Sequence, residues 1–187
     1  MGTVAWGFTC SIDGFIAGPD HDMSWLSASE PMAEGFTDDM AAKVAVIISG
    51  RRGYDAAAAQ ADERDELTSE AYGGAWSGTE FILTHRPEEL AGDASVTALN
   101  CPITEAVDRA QAIAGDRDIQ IISADIARQA LEADLIDELQ VYVAPVFLGD
   151  GTRIFDVPGG RRVDWELVEI DEANRRSFGR TYRPKRR

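Results

Sequence analysis

Short apolar runs alternate with helix-forming segments over the first two thirds of the chain. The apolar runs are only four to eight residues long and rich in Val and Ile, which is typical of strands buried on both faces of a sheet. They predict strands at residues 3–10, 44–48, 81–84 and 119–122, with a brief pairing at 96–99, and the segments between them predict helices at 31–42, 51–61, 103–114 and 126–133. This alternation predicts a mostly parallel sheet with helices on both faces.

The last third of the chain has a different pattern, because its strands follow one another without helices. Strands are expected at residues 139–147, 165–170 and 178–182, and the last two can form a hairpin through 171–177. We therefore predict an α/β fold of three layers in which an antiparallel hairpin completes the sheet. A length of 187 residues suits one domain over 1–187.

Composition and charge restrict the partners and the compartment. A formal net charge of −15 repels nucleic acids and anionic membranes, and the basic end at 183–187 is expected to be solvated. Cys10 and Cys101 are far apart and have no histidine at ligand spacing, so we expect two buried thiols and no metal site. The chain shows no signal peptide and no run long enough to cross a bilayer, and a cytoplasmic protein is expected.

Residues 11–19, with the sequence SIDGFIAGP, follow the first strand. An acid followed by glycine predicts a tight turn, in which the carboxylate of Asp13 accepts backbone N–H bonds and Gly14 takes a positive φ. The turn explains Asp13 and Gly14 but not the rest of the string. Asp13 is therefore a candidate both for a structural turn and for a site residue.

Two further junctions carry positive charge where a strand ends. Gly50-Arg-Arg-Gly-Tyr54 joins a buried strand to a helix, and the free amides of that helix can attract an anion together with Arg51 or Arg52. Thr84-His-Arg-Pro87 closes the next strand. Both sequences also suit solvated surface residues at the end of a strand.

These motifs, together with residues 135–139 (LIDEL) and 144–155 (APVFLGDGTRIF), resemble the dihydrofolate reductase-like superfamily. The similarity is to its branch that contains the reductase domain of riboflavin biosynthesis. It extends from Val4 to Tyr182. The resemblance implies a reductase that uses NADPH to deliver a hydride to a small heterocyclic substrate similar to a pterin or a pyrimidine, and it implies a homodimer to which residues 141–147 contribute.

The resemblance also implies roles for individual residues. Asp13 would lie at the catalytic centre and Arg153 beside the substrate, although a surface salt bridge is an alternative for Arg153. The residues implied in cofactor binding share positions at strand ends and in the loops that follow; they are Ile16, Ala17, Gly50, Arg51, Arg52, Thr84, His85, Arg86, Ser123 and Ala124.

The chain departs from the family pattern in two places, a pair of residues and a single residue. Ile122 and Ser123 stand where the family has a Gly-Gly pair, and Gly53 stands where it has a threonine hydroxyl. A β-branched side chain takes space that the pyrophosphate would use, whereas Ser123 can cap the following helix. The alternative is thus a non-catalytic relative that has lost its dinucleotide site and binds another ligand or a protein partner.

An acid that donates a proton to the substrate cannot be chosen from the sequence. In classical dihydrofolate reductases the acid lies on the helix that corresponds to residues 31–42, and here that segment carries Glu34, Asp38 and Asp39. Three acids on one helix are more typical of a solvated face.

Overall fold

Ten strands and four α-helices make up the part of the chain that the computed structural model describes, residues 2–26, 36–61, 75–171 and 178–185. The strands are β1 Val4–Cys10, β2 Phe15–Ala17, β3 Val44–Gly50, β4 Thr79–Leu83, β5 Val96–Leu99, β6 Asp118–Ile121, β7 Glu138–Val143, β8 Thr152–Arg153, β9 Trp165–Asp171 and β10 Phe178–Pro184. The helices are α1 Phe36–Lys43, α2 Arg51–Ala61, α3 Ile103–Ala114 and α4 Ala124–Glu132.

Eight of these strands form one sheet in the order β5-β4-β3-β6-β1-β7-β10-β9. Each pair of adjacent strands from β5 to β7 in this order is parallel. β10 is antiparallel to both of its neighbours, β7 and β9. The predicted fold is confirmed, including the antiparallel hairpin at the end of the chain. The residues that connect β9 to β10 lie outside the described part.

Helices cover both faces of the sheet because the crossovers run in opposite directions. The chain moves from β1 through α1 to β3 and from β3 through α2 to β4, whereas α3 and α4 lead back toward the other edge. Right-handed crossovers then place α1 and α2 on one face and α3 and α4 on the other. The parallel strands therefore all end at one edge, which we call the carboxyl edge.

The main core lies between the sheet and the α3/α4 layer. The sequence predicts an apolar stripe on α3 of Ile103, Ala106, Val107, Ala110 and Ile113. The first four residues are buried, but Ile113 is 51% exposed. These four pack against one face of β1, β3 and β6, to which Trp6, Ile48 and Ile121 contribute among others. Alternate residues of the same strands, such as Gln120, face the other layer.

Several boundaries differ from the sequence prediction. β7 ends at Val143 instead of residue 147. The N–H of Ala144 still bonds to Cys10 of β1, but Pro145 has no N–H to continue the ladder. The polar segment after β1 contains the short strand β2, which pairs with β8. α4 begins two residues before the predicted 126.

The cysteines are only partly as predicted. Both are free thiols, but Cys10 is buried whereas Cys101 is half-buried, so the expectation of two buried thiols is wrong for Cys101. Burial and the nearby Asp13 raise the pKa of the Cys10 thiol. Within the described ranges, no helix is long and apolar enough to cross a membrane.

Candidate functional site

Two helix N-termini meet at the carboxyl edge. α2 starts directly after Gly50 of β3, and α4 starts at Ala124, beyond the end of the neighbouring strand β6. A Cβ atom on Gly50 would lie 3.1 Å from Oγ of Ser123 and 3.5 Å from Cγ1 of Ile126. The free amides and the positive dipole ends of both helices thus converge on a small cradle at Gly50, which is the physical requirement for holding an anion.

Ile122 and Ser123 form the β6 side of this cradle. The N–H of Ile122 donates to the carbonyl of Ile48, and Ser123 is extended at φ −120° and ψ 132°, so this backbone does not need glycine. The side chain of Ile122 is exposed (44%) at the carboxyl edge. Ser123 occupies the N-cap position of α4, as expected, but its hydroxyl makes no cap hydrogen bond and lies beside Gly50.

The arginines predicted to bind phosphate are engaged with carboxylates. Nη1 of Arg51 and Nη1 of Arg86 each lie 2.8 Å from a different oxygen of Glu89, and Nε of Arg51 lies 2.7 Å from Asp55. Hydrogen bonds to Asp55 and then Glu89 raise the pKa of Arg51. Arg52 is exposed, and the nearby start of α4 carries Asp125, whose carboxylate is bound by Arg128 at 2.8 Å. Carboxylates therefore bind Arg51 and Arg86 directly.

The remaining residues of the Thr84-His-Arg-Pro87 motif form a turn next to this cluster. The hydroxyl of Thr84 accepts a bond from the N–H of Arg86 at 3.1 Å, and His85 is exposed. The hydroxyl of Tyr54, on the second turn of α2, donates to Asp93 just beyond the motif. The structure thus brings Thr84, His85 and Arg86 to the same edge as Gly50 and Arg51.

Asp13 joins two loops. Its carboxylate accepts hydrogen bonds from Oγ of Ser11 at 2.6 Å and from the amides of Leu148 and Gly149 at 3.2 and 2.7 Å. These bonds lower the pKa of Asp13 to about 2, the largest effect coming from Ser11. The predicted turn is present, with Gly14 at φ 84°. A part for Asp13 in the reaction itself stays a prediction.

Ile16 and Ala17 lie on β2, which leaves the same carboxyl edge and pairs with β8. Ala17 is buried and Ile16 half-buried. The guanidinium of Arg153 lies over the ring of Phe15, 4.5 Å from its centre. This stacking takes the place of the surface salt bridge that was the alternative for Arg153. It holds Arg153 beside the Asp13 turn.

Two glutamines that the sequence analysis did not select flank Gly7 on the face opposite α3 and α4. A Cβ on Gly7 would lie 1.9 Å from Nε2 of Gln120 and 3.4 Å from Oε1 of Gln140. Gln120 is buried, and Oε1 of Gln140 is buried without a hydrogen-bond partner. The sequence could have indicated a role for Gln120, because it is a single polar residue in the apolar run Ile119-Gln120-Ile121. Burying a polar side chain in such a strand costs free energy.

The structure describes two of the three acids predicted on the first helix. Asp38 and Asp39 are exposed on α1, as expected for a solvated face, and Glu34 lies outside the described residues. The most buried carboxyl near α2 is instead that of Glu80, whose pKa is raised by burial and which accepts a hydrogen bond from Ser49. No group of acids, histidines and cysteines that could hold a metal ion occurs in the ranges that the structure covers.

The residues around Gly50 suit the pyrophosphate of a nicotinamide dinucleotide, but those around Arg51 and Arg86 do not suit an additional phosphate. The N-termini of α2 and α4 and the Ser123 hydroxyl beside Gly50 suit a pyrophosphate. The carboxylates around Arg51 and Arg86 do not suit an additional phosphate. The Gly53 position adds no hydroxyl, and nothing lies within 4 Å of where its Cβ would be.

Comparison with known proteins identifies relatives of similar chain length and relatives that are longer. The chain is 25% identical over 161 residues to YyaP of Bacillus subtilis (strain 168), covering 84% of this chain and 82% of that protein. A solved structure from Shewanella sp. PV-4, named for riboflavin biosynthesis, is 20% identical with a TM-score of 0.74, and each chain is covered completely.

Two further structures show the same fold. RibD of Acinetobacter baumannii is 17% identical with a TM-score of 0.70, and all of this chain covers 59% of it. Dihydrofolate reductase of Enterococcus faecalis, solved with NADP(H), is 16% identical with a TM-score of 0.59 over 99% and 98% of the two chains. Residues 2–176 match the family described as the RibD C-terminal domain. The protein therefore shares the fold of dihydrofolate reductase and belongs to the RibD C-terminal domain family.

Proposed function

We propose that this protein is a reductase that uses a nicotinamide dinucleotide to reduce a small heterocyclic substrate. The observation that carries the proposal is the meeting of the α2 and α4 N-termini at Gly50, where Ser123 lies 3.1 Å from the absent Cβ. The free amides and positive dipole ends of two neighbouring helix N-termini are the arrangement that a pyrophosphate requires. The family relationship supports the same class of reaction.

Different residues of the carboxyl edge would bind different parts of the cofactor. Gly50, Ser123 and Ala124 would hold the pyrophosphate, and the backbone of Ile16 and Ala17 would face the nicotinamide. When bound, the nicotinamide would supply the hydride. The protein's contribution is orientation of the cofactor and exclusion of water.

The two glutamines suggest the chemistry of the substrate. Oε1 of Gln140 is a buried acceptor with no hydrogen-bond partner, and leaving such a group unpaired costs stability. A ring N–H or amino group of a pterin- or pyrimidine-like heterocycle would satisfy it. The amide of Gln120, on the neighbouring side of Gly7, adds a second polar group to the same face.

A second candidate function follows from Ile122. Its exposed side chain stands at the position of the family's Gly-Gly pair, so it reduces the room available to a pyrophosphate. On this account the protein is a relative without a cofactor, which binds another ligand or a protein partner. Replacing both Ile122 and Ser123 by glycine should then create dinucleotide binding that the native protein lacks.

A matched pair of glycine variants tests the proposed site. Gly50→Val fills the space beside Ser123 and should abolish NADH and NADPH binding measured by calorimetry. Gly53→Ala, three residues away on the first turn of α2, has open space for its Cβ and should leave binding unchanged. Thermal melting checks that both variants are folded. Equal binding by Gly50→Val and the native protein would show that the site lies elsewhere.

A further inference from the structure

The charged cluster of Arg51, Arg86 and Glu89 affects whether NADH or NADPH binds more tightly. Both oxygens of Glu89 are engaged at 2.8 Å, one by Arg51 and one by Arg86. The Glu89 side chain is 36% exposed and that of Arg51 is 24% exposed, so the cluster lies at the surface of the carboxyl edge where a ligand can reach it.

Arg51 is the cation best placed to meet a phosphate, since it begins α2 directly after Gly50. Its guanidinium is already shared between Glu89 and Asp55, at 2.8 and 2.7 Å. A phosphate dianion that approaches Arg51 would share its guanidinium with the carboxylates of Glu89 and Asp55, which repel a second anion.

A ribose hydroxyl, unlike a phosphate, can bind to this cluster without electrostatic repulsion. Each carboxylate oxygen accepts more than one hydrogen bond, so a hydroxyl can donate to Glu89 while both arginines stay in place. A carboxylate that accepts from the adenosine 2′-hydroxyl favours NADH, whereas an uncommitted arginine favours the 2′-phosphate of NADPH.

Resting on the proposed function, we propose that Glu89 is a specificity-determining residue that removes the preference for an adenosine 2′-phosphate. The native protein then binds NADH at least as tightly as NADPH. This differs from the NADPH preference that the family resemblance implied, and the difference comes from a carboxylate on the turn Pro87–Leu90, just after the Thr84-His-Arg-Pro87 motif.

The test compares Glu89→Gln with Glu88→Gln by calorimetric titration with NADH and NADPH. Both variants remove one negative charge from the same turn, but Glu88 is exposed and no ion pair to either arginine is found for it. Glu89→Gln should improve NADPH affinity at least tenfold relative to NADH, and Glu88→Gln should change the ratio less than twofold.

The titration of the native protein separates the two proposals. A native preference for NADPH of tenfold or more, or a Glu89→Gln ratio equal to that of Glu88→Gln, would overturn the role of Glu89 and leave the reductase proposal standing. Absence of binding by both cofactors to all three folded proteins would overturn both proposals. The fragments 2′,5′-ADP and 5′-ADP should show the same selectivity if it arises at this cluster.

Discussion

At the scale of single residues, the carboxylate of Asp13 shows how a local motif fixes a distant contact. Asp13 and Gly14 form the turn that the sequence indicates, and the same carboxylate holds the amides of Leu148 and Gly149. The turn could be predicted because acid-glycine pairs have a local preference. The bonds to residues 148 and 149 could not, because they depend on where β7 ends.

Asp13→Asn should lower the melting temperature at neutral pH, because an amide replaces a charged acceptor of three hydrogen bonds. The pKa of Asp13 is lowered from 3.8 to about 2, so its stabilising effect is present above pH 4 and is lost as the pH falls toward 2. The difference from the native protein should therefore shrink over that range. Asp20→Asn, an exposed acid of the same loop, is the control, and a pH-independent difference for Asp13→Asn would contradict this account.

Gln140→Met should stabilise the protein by about 1 kcal/mol, because it removes a buried acceptor that has no partner while keeping a similar shape. Gln120 does have an interaction partner, so Gln120→Met should not stabilise. Chemical denaturation of both variants measures the free energy of unfolding. A loss of stability in Gln140→Met would mean that its Oε1 is satisfied in solution, for example by an ordered water.

The pairing of Glu89 with the two arginines also lies beyond sequence reasoning. Arg51 and Glu89 are 38 residues apart, and they meet only because β3 and β4 are neighbours in the sheet. The sequence identified the arginines as candidates from their place after a strand. Which charges surround them depends on the tertiary structure.

At the scale of elements, the apolar runs predicted the central strands well because those strands are buried on both faces. β3 shows this clearly, since all of its residues except Gly50 are buried. The small pair of β2 and β8 was missed because its strands have only three and two residues, too few for a periodic pattern. It nevertheless positions Ile16, Ala17 and Arg153 at the carboxyl edge.

Gly151 should be the most sensitive position of this pair of strands. It has φ 130°, and a Cβ there would lie 2.0 Å from the carbonyl oxygen of Ala17. Gly149 has φ 77° with nothing within 4 Å. Gly149→Ala should therefore cost about 1 kcal/mol of unfolding free energy, and Gly151→Ala roughly 3 kcal/mol or more, because backbone strain adds to the clash. Equal costs in urea denaturation would argue against this close approach.

At the scale of the whole molecule, the sheet order brings the separate motifs to one edge. β1, β3, β4 and β6 are parallel, so the loops after all four leave the sheet on the same side. Ligands in open α/β sheets bind at the carboxyl ends of the strands. The sequence could predict this edge from the alternation of strands and helices, but the strand order itself required the structure.

The homodimer implied by the family resemblance and the part of residues 141–147 in it stay predictions, and the structure adds a second candidate surface. β7 lies between β1 and β10 inside the sheet, so it has no free backbone edge. The edge strand β9 instead exposes Leu167, Val168 and Ile170. We expect light scattering to give about twice 20.3 kDa for the native protein and Val168→Lys to give a monomer, since lysine blocks pairing of edge strands. A native monomer would contradict this prediction.

The most direct test of the central claim is a calorimetric titration of the native protein with NADH and with NADPH. The proposed dinucleotide site predicts 1:1 binding in the micromolar range, with NADH bound at least as tightly as NADPH. Absence of binding by either cofactor, to a protein shown by thermal melting to be folded, would contradict the reductase proposal and favour the relative without a cofactor.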